Sequence, residues 1–179
     1  MTEEIRGRKV ILRKKKLEDA WSDYAWKQDP ELARLDAAVP LDLPFSMYLV
    51  GYAEDLNHSD GRARLYAIET FDGRHIGNCS YYNLDRDRRE AELGILIGDT
   101  SCWDLGYGTD AVASLVRHAF RKENLKLMYL HTLVSNMRAQ RCFRKCGFVP
   151  CRRVTRSGHD FIRMEITALE VRSIEDSKP

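Results

Sequence analysis

The sequence predicts an α/β (α+β) fold in which one mixed, mostly antiparallel sheet of six to seven strands is flanked by about four helices. Three observations carry that expectation. Between Arg64 and Ile97, three apolar-rich runs follow one another with turn residues between them, which describes an antiparallel meander. Behind the meander, apolar residues recur at helical spacing, and the chain then returns to a β-branched run. Two further extended segments close around Ser157-Gly158-His159 as a hairpin. Meander, helix, strand, helix and hairpin in that order describe a sheet covered by helices.

The elements follow in order. Val10-Ile11-Leu12, set between basic residues, reads as a first strand. Leu17 to Lys27 reads as a helix with Trp21, Tyr24 and Ala25 at helical spacing. Asp29-Pro30 ends it, because the residue before proline avoids the helical region. Glu31 to Asn57 reads as helical in two pieces, broken around Pro40-Leu41-Asp42-Leu43-Pro44, and Asn57 to Gly61 as a loop. The second piece carries Phe45, Met47, Tyr48, Leu49, Tyr52 and Leu56, which suits a helix laid over a groove. Arg64 to Glu69 is a strand, and Phe71-Asp72-Gly73-Arg74 carries an Asp-Gly turn signal. His75 to Leu84 follows, with Gly77 marking a bulge or close packing. Asp85 to Arg88 is a charged turn, and Ala91 to Ile97 is the next strand. The long helix places Ala111, Val112, Leu115, Val116, Ala119 and Phe120 on one face. Leu127 to Val134 is a core strand, and Asn136 to Cys146 a short helix closed by Gly147. Phe148 to Thr155 and Phe161 to Leu169 form the last hairpin. Residues 1–172 are expected to form a single domain, with 173–179 a polar, disordered tail.

Composition narrows the classes. The 179 residues suffice for one domain with a real core. With 29 basic against 27 acidic residues, no large net field points to nucleic acid or an anionic membrane. No apolar stretch reaches the roughly 20 residues that span a bilayer, and the N-terminus lacks the apolar core of a secretory signal. A cytoplasmic location is expected. The five cysteines, Cys79, Cys102, Cys142, Cys146 and Cys151, are expected as free thiols. Cys142 and Cys146 lie four apart on a helix and could share a metal. No CxxC pair accompanies them, and His118, His131 and His159 show no ligand spacing, so no metal is expected.

The chemistry gathers at Gly106-Tyr107-Gly108-Thr109, just before the long helix. Two glycines one residue apart let backbone N–H groups turn toward one point, and the helix dipole reinforces that focus. An anion is the natural occupant, although the loop alone could be a tight connection. Gly106 to Ala111 also fits the GxGxxA pattern of dinucleotide-binding turns. Such a turn follows its strand almost directly, whereas residues Gly98 to Leu105 intervene here. The following strand also ends in Val134-Ser135-Asn136 without the acid that would hold a ribose. The lysine and hydroxyl residue of a nucleoside-triphosphate loop are missing as well.

Two longer stretches are more specific. Glu92-Leu93-Gly94-Ile95-Leu96-Ile97 followed by Trp103-Asp104-Leu105-Gly106-Tyr107-Gly108-Thr109-Asp110-Ala111 resembles the core cofactor motif of the GNAT superfamily of N-acetyltransferases. Asn136 to Phe148 resembles its second motif, with Asn136, Arg138, Lys145, Gly147 and Phe148 in place. Gly7-Arg8 before a strand, and Trp26 before Asp29-Pro30-Glu31, resemble the branch that contains ribosomal-protein N-terminal and spermidine acetyltransferases. The resemblance runs from Arg6 to Leu169 and implies a GNAT-like fold with acetyl-CoA as co-substrate.

Residue by residue, the resemblance implies that Ile95, Leu96 and Ile97 offer exposed backbone to the pantetheine amides, a form of β-augmentation. It implies that Trp103, Asp104, Leu105, Gly106, Tyr107, Gly108 and Thr109 cradle the pyrophosphate, with Trp103 standing where glutamine or arginine is usual. Asn136 matches the asparagine at the cofactor and also suits a helix N-cap. Glu92 matches a base that accepts the amine proton, with Glu90 on the same face by alternation; both could equally be solvated strand-edge acids. Phe143 stands where many members carry a tyrosine that protonates the leaving thiolate, and Ala139 where a serine would fall. The proton then comes from another donor, Tyr107 being conceivable, or from solvent.

The implied reaction is direct transfer of acetyl to a primary amine of a peptide N-terminus, polyamine or other small molecule. A non-catalytic acyl-CoA-binding module and a protein-interaction scaffold are the alternatives. The acceptor groove is expected in Glu31 to Asn57, where Trp26, Phe45, Tyr48, Tyr52, Asp42, Glu54 and Asp55 suit a cation or simply line an amphipathic helix. Neither nucleic acid nor membrane is expected as a partner, and a homodimer is common in the family.

Overall fold

Strand alternation decides how the two faces of the sheet are used. In β2 (Val10–Lys14), Val10 and Leu12 are fully buried in the main core, while Arg13 points to the opposite face. The same alternation runs through β3 (Arg64–Thr70), β4 (His75–Asp85) and β5 (Glu90–Ile97). A two-residue strand β1 (Ile5–Arg6) precedes β2, and β6 (Leu127–Leu133), β7 (Val149–Arg156) and β8 (His159–Thr167) complete the set. In the computed structural model, which describes residues 4–57 and 61–176, these eight strands form one sheet in the order β1-β2-β3-β4-β5-β6-β8-β7. All neighbours are antiparallel except β5 and β6.

One face is covered by α4 (Tyr107–Glu123), whose predicted stripe of Ala111, Val112, Leu115, Val116, Ala119 and Phe120 is buried throughout. Close approach within the sheet requires Gly77. A Cβ there would lie 2.1 Å from the Leu96 carbonyl oxygen, and the β3–β4 register shifts opposite it, so the residue serves both packing and a bulge.

The opposite face receives α1 (Ala20–Gln28), α2 (Pro30–Leu35) and α3 (Phe45–Asn57) through polar anchors. Arg13 donates two hydrogen bonds of 2.8 Å to Asp19 in the turn before α1 and a third to Glu69 of β3. Asp23 of α1, also buried, is held by Lys15, Asn78 and the Tyr52 hydroxyl of α3. Burial pushes the Asp19 carboxyl up, but its hydrogen bonds from Arg13 and the Lys16 amide prevail and hold it below the ordinary carboxylate range. Asp29 ends α1 in extended backbone and caps α2, accepting from the amides of Glu31 and Leu32 at 2.8 and 2.9 Å. Pro30 takes the first helical position.

Three expectations change. The sheet has eight strands rather than six to seven, because β1 is too short to carry a pattern. There are six α-helices rather than about four among the described residues. The last extended segment stops at Thr167, where Glu170 accepts from the Thr167 amide and hydroxyl at 2.7 and 2.8 Å. This capping box opens α6 (Ala168–Asp176), which takes in residues 173–176 of the expected tail. Residues 177–179, and residues 58–60 of the loop expected between Asn57 and Gly61, lie outside the described residues.

Asp19→Ala should destabilise the protein by about 3 kcal/mol in urea unfolding, because it removes two hydrogen bonds and one of the two carboxylates that pair the buried Arg13 guanidinium. The depressed Asp19 carboxyl contributes stability that is complete above the ordinary carboxylate range and is lost as pH falls through its lowered value. The acid limb of the stability profile should therefore be shallower in the variant; an identical profile would remove Asp19 from it.

Candidate active site

Strands β5 and β6 start as neighbours and then part. Their pairing is confined to Glu90–Leu127, Ala91–Met128 and Glu92–Tyr129. Beyond it, β5 stays paired with β4 as far as Ile97–Gly77, and β6 with β8 as far as Leu133–Phe161. One edge of β5 from Leu93 to Ile97 is left without a strand partner in the middle of the sheet, although its residues are only half-exposed or less. Backbone N–H and C=O groups in that position call for another partner. The gap is a cavity of about 280 Å³. Ile95, Leu96 and Ile97 form one wall, and α5 (Met137–Lys145) contributes Ala139, Cys142 and Phe143 to the other.

The loop after β5 borders this gap. Trp103 pins it by donating from Nε1 to the Ile97 carbonyl at 2.8 Å. Asp104 and Gly106 adopt left-handed φ values of 57° and 85°, and Gly106 is the N-cap of α4 without a side-chain cap of its own. Glycine meets that φ without steric cost, and the first-turn amides of α4 stay available for an anion. Asp110 in the same turn accepts from the amides of Arg8, Lys9 and Val10 at 3.0, 2.7 and 3.1 Å, tying the β1–β2 turn to the helix start. The Arg138 guanidinium stacks over the Trp103 ring at 3.2 Å, and Arg141 and Lys145 also line this end.

The other end has different chemistry. Asp36, Tyr82, His131 and Phe161 line it, with Glu92 just behind. Glu92 is buried; it accepts from His131 Nδ1 at 2.7 Å and from Asn83 at 3.0 Å. The Nδ1–H therefore belongs to the tautomer these contacts assign, and Nε2 meets the exposed Arg156 guanidinium at 3.3 Å. Burial first, and the Glu92 charge next, raise the Tyr82 phenol above its ordinary value. Tyr129, flanking the pair, is raised in the same way by burial and Glu92, with a smaller effect from Glu90.

Of the site residues expected from sequence, Ile95, Leu96, Ile97, Trp103, Asp104, Gly106, Gly108, Thr109 and Asn136 line the cavity together. Leu105 does not: its side chain is exposed and its carbonyl accepts from Lys9 Nζ at 2.8 Å. The Tyr107 ring lies under the same ammonium at 5.8 Å, outside the cavity lining. Asn136 caps α5, accepting from the Ala139 amide at 3.1 Å. Glu92 reaches the cavity through His131. Phe143 is buried edge-on against Phe148 at 6.0 Å. Sequence reasoning gave no role to His131, Tyr82 or Asp36. His131 and Glu92 each carried a signal through strand alternation, but the parallel pairing of β5 with β6 was not readable.

Among the described residues, no group of three or more His, Cys, Asp or Glu is placed to hold a metal, and no helix is long and apolar enough to cross a membrane. The acetyltransferase (GNAT) domain profile matches residues 9–149. A comparison with curated proteins finds no match. Among solved structures, a spermidine N-acetyltransferase from Vibrio cholerae with CoA and spermine is similar at 21% identity and TM-score 0.79, over 90% of this chain and 97% of that one. An aminoglycoside acetyltransferase with coenzyme A is similar at 21% identity and TM-score 0.78, over 93% and 99%. A GNAT-family acetyltransferase from Bacillus anthracis follows at 12% identity and TM-score 0.77, over 92% and 98%. At these identities the structures establish the fold alone.

Cys142 offers a probe of the cavity. Its Sγ accepts from the Thr109 hydroxyl at 3.5 Å. The hydrogen bond with Cys146, helped by Thr109 and nearby Lys145 against the effect of burial, holds its thiol below the ordinary cysteine range. Burial pushes the Cys79 and Cys102 thiols up instead. Carboxymethylation at Cys142 should reach half its limiting rate at a lower pH than that of an ordinary cysteine thiol, because its thiolate forms more readily. Peptide mapping that finds Cys151 modified first, with Cys142 inert, would contradict this.

Proposed function

The chain belongs to the GNAT acetyltransferase family, and from that premise we propose that it transfers the acetyl group of acetyl-CoA to a primary amine by direct attack in a ternary complex. The observation that carries this reading is the unpaired edge of β5 opening onto the glycine-capped start of α4. Main-chain groups between Leu93 and Ile97 are suited to the amides of a pantetheine arm, which would complete the sheet edge. The loop amides around Gly106 and Gly108, with Arg138 beside them, suit its pyrophosphate. Bound acetyl-CoA supplies an electrophilic thioester carbonyl. The chain's own residues align the acceptor against it and exclude competing geometries.

The amine must lose a proton before it can attack. His131 lines the cavity, Glu92 holds its Nδ1–H, and its Nε2 meets Arg156 alone among the described residues. His131 takes the proton, directly or through one water, and Glu92 stabilises the imidazolium that results. An arriving amine replaces the Arg156 contact at Nε2. Glu92, expected from sequence to accept the proton itself, has a different role in this reading: it orients and charges the base. Phe143 has no proton for the departing thiolate, which takes one from water. The loss of an acid at Phe143 is the one feature that favours a non-catalytic acyl-CoA-binding module; the buried Glu92–His131 pair beside the gap favours catalysis.

Asp36 at this end supports a cationic acceptor, and two proteins of the same fold are named for spermidine and aminoglycosides. Thiol release from acetyl-CoA across a panel of amines tests the activity, and CoA binding without any turnover would support the module instead. Glu92→Gln and His131→Ala should each lower kcat by about 100-fold or more, with acetyl-CoA affinity almost unchanged. Unchanged turnover in both would remove the pair from the mechanism. Asp36→Asn should raise KM for cationic amines about tenfold, the loss of one charge-assisted contact, with little effect on kcat. An equal KM would place the acceptor elsewhere.

A further inference from the structure

The β7–β8 hairpin brings a cation to the Glu92–His131 end of the cavity. Arg156, the last residue of β7, pairs with His159, and the left-handed residues Ser157 and Gly158 close the turn between them. His131 pairs with Arg163, further along β8. The Arg156 side chain therefore runs back along the sheet, past the level of the cavity-lining Phe161. It ends with one guanidinium nitrogen 3.3 Å from His131 Nε2. Its neighbours are satisfied otherwise. Arg163 donates to Glu165 at 2.6 Å and lies over the Tyr129 ring at 3.8 Å, and Asp160 of the hairpin accepts from the Thr155 hydroxyl at 2.7 Å. Arg156 is exposed and, among the described residues, makes no ion pair; it donates to an imidazole nitrogen instead. That leaves its chemistry under-used. A guanidinium fork matches a carboxylate in two parallel charge-assisted bonds, each about twice as strong as a neutral one.

We propose that Arg156 is a specificity-determining residue that recognises a carboxylate on the acceptor, so that the substrates are amino acids or short peptides carrying both an amine and a free carboxylate. The inference rests on the reading of His131 as the base and narrows the class of amine it serves. Arg156 occupies the lone pair that this base needs: with Nδ1–H held by Glu92, Nε2 is the accepting nitrogen. A carboxylate on the acceptor draws the guanidinium into a two-point contact and frees Nε2 as the amine of the same molecule arrives. Asp36, lining the same end, suits the ammonium group of such a zwitterion. An amine without an anion has to displace the guanidinium with nothing to offer it. A polyamine fares worst, because its further ammonium groups repel Arg156. Arg156 thus works as a gate that the correct acceptor opens with its own charge.

Acetylation rates on the full chain test this with ω-amino acids and dipeptides, each paired with its own carboxamide, and with a polyamine. In the ω-amino acids the amine lies several bonds from the carboxylate, so its basicity is nearly the same in acid and amide. The parent protein should show kcat/KM about tenfold higher for the acid than for its amide, the increment of a charge-assisted contact. Arg156→Ala should bring that ratio close to one, raising KM for the acid and raising kcat for the amide, because nothing then occupies Nε2. Arg156→Lys, which keeps the charge without the fork, should retain part of the preference. A merely structural arginine would slow acid and amide alike on substitution, and that result would overturn the proposal. So would equal kcat/KM for acid and amide in the parent, or a preference that survives Arg156→Ala. A parent that acetylates the polyamine and no zwitterion would overturn it too, while leaving the N-acetyltransfer reading intact. If none of these amines is acetylated, the reading of His131 as the base fails and this inference falls with it.

Discussion

The structure depends on a sheet that stops pairing in its own middle. After Glu92–Tyr129, β5 and β6 share no further pairs, although each remains fully engaged with its other neighbour. A parallel pair normally gains from continuing, so the separation has to be held open. The surrounding elements do that. Trp103 ties the end of β5 to its own loop, α5 places Ala139, Cys142 and Phe143 in the gap, and Asp110 fastens the β1–β2 turn to the start of α4. The result is a row of backbone groups whose hydrogen-bonding capacity is directed at a cavity rather than at protein.

That cavity is polarised along its length. Arg138, Arg141 and Lys145 gather at the end formed by the glycine loop, and Asp36 and the Glu92–His131 pair at the other. In the proposed reaction this arrangement would draw an anionic donor and a cationic acceptor to opposite ends. The face of the sheet that carries Glu92, Tyr82 and His131 is the one anchored to α1 and α3 by Arg13, Asp23 and Asn78. The polar anchors that fix those helices therefore also fix the wall at that end of the cavity.

Most of the fold was legible because its signals are local. The stripe on α4, the Asp72-Gly73 turn and the Gly147 stop each lie within a few residues and fold as they read. The glycine loop's place at a cavity was legible for a different reason: two motifs stand in order, and nine of the residues they point to line one cavity. What escaped was mostly tertiary. Pairing of β5 with β6 brings Glu92 beside His131 across 39 positions of sequence, and neither strand announces its partner. Tyr107 and Leu105 belong to the loop that the resemblance implies as a whole, but their side chains lie outside the cavity lining. The helix α6 did carry a local signal, Thr167 and Glu170 three apart, which the polar composition beyond Ser173 obscured.

Amide hydrogen exchange with and without saturating CoA tests the central claim most directly. The account predicts added protection in β5 between Leu93 and Ile97, at the amides not already paired with β4, and at the first turn of α4 from Tyr107 to Thr109. CoA binding that leaves both segments unchanged while protecting amides elsewhere would contradict it.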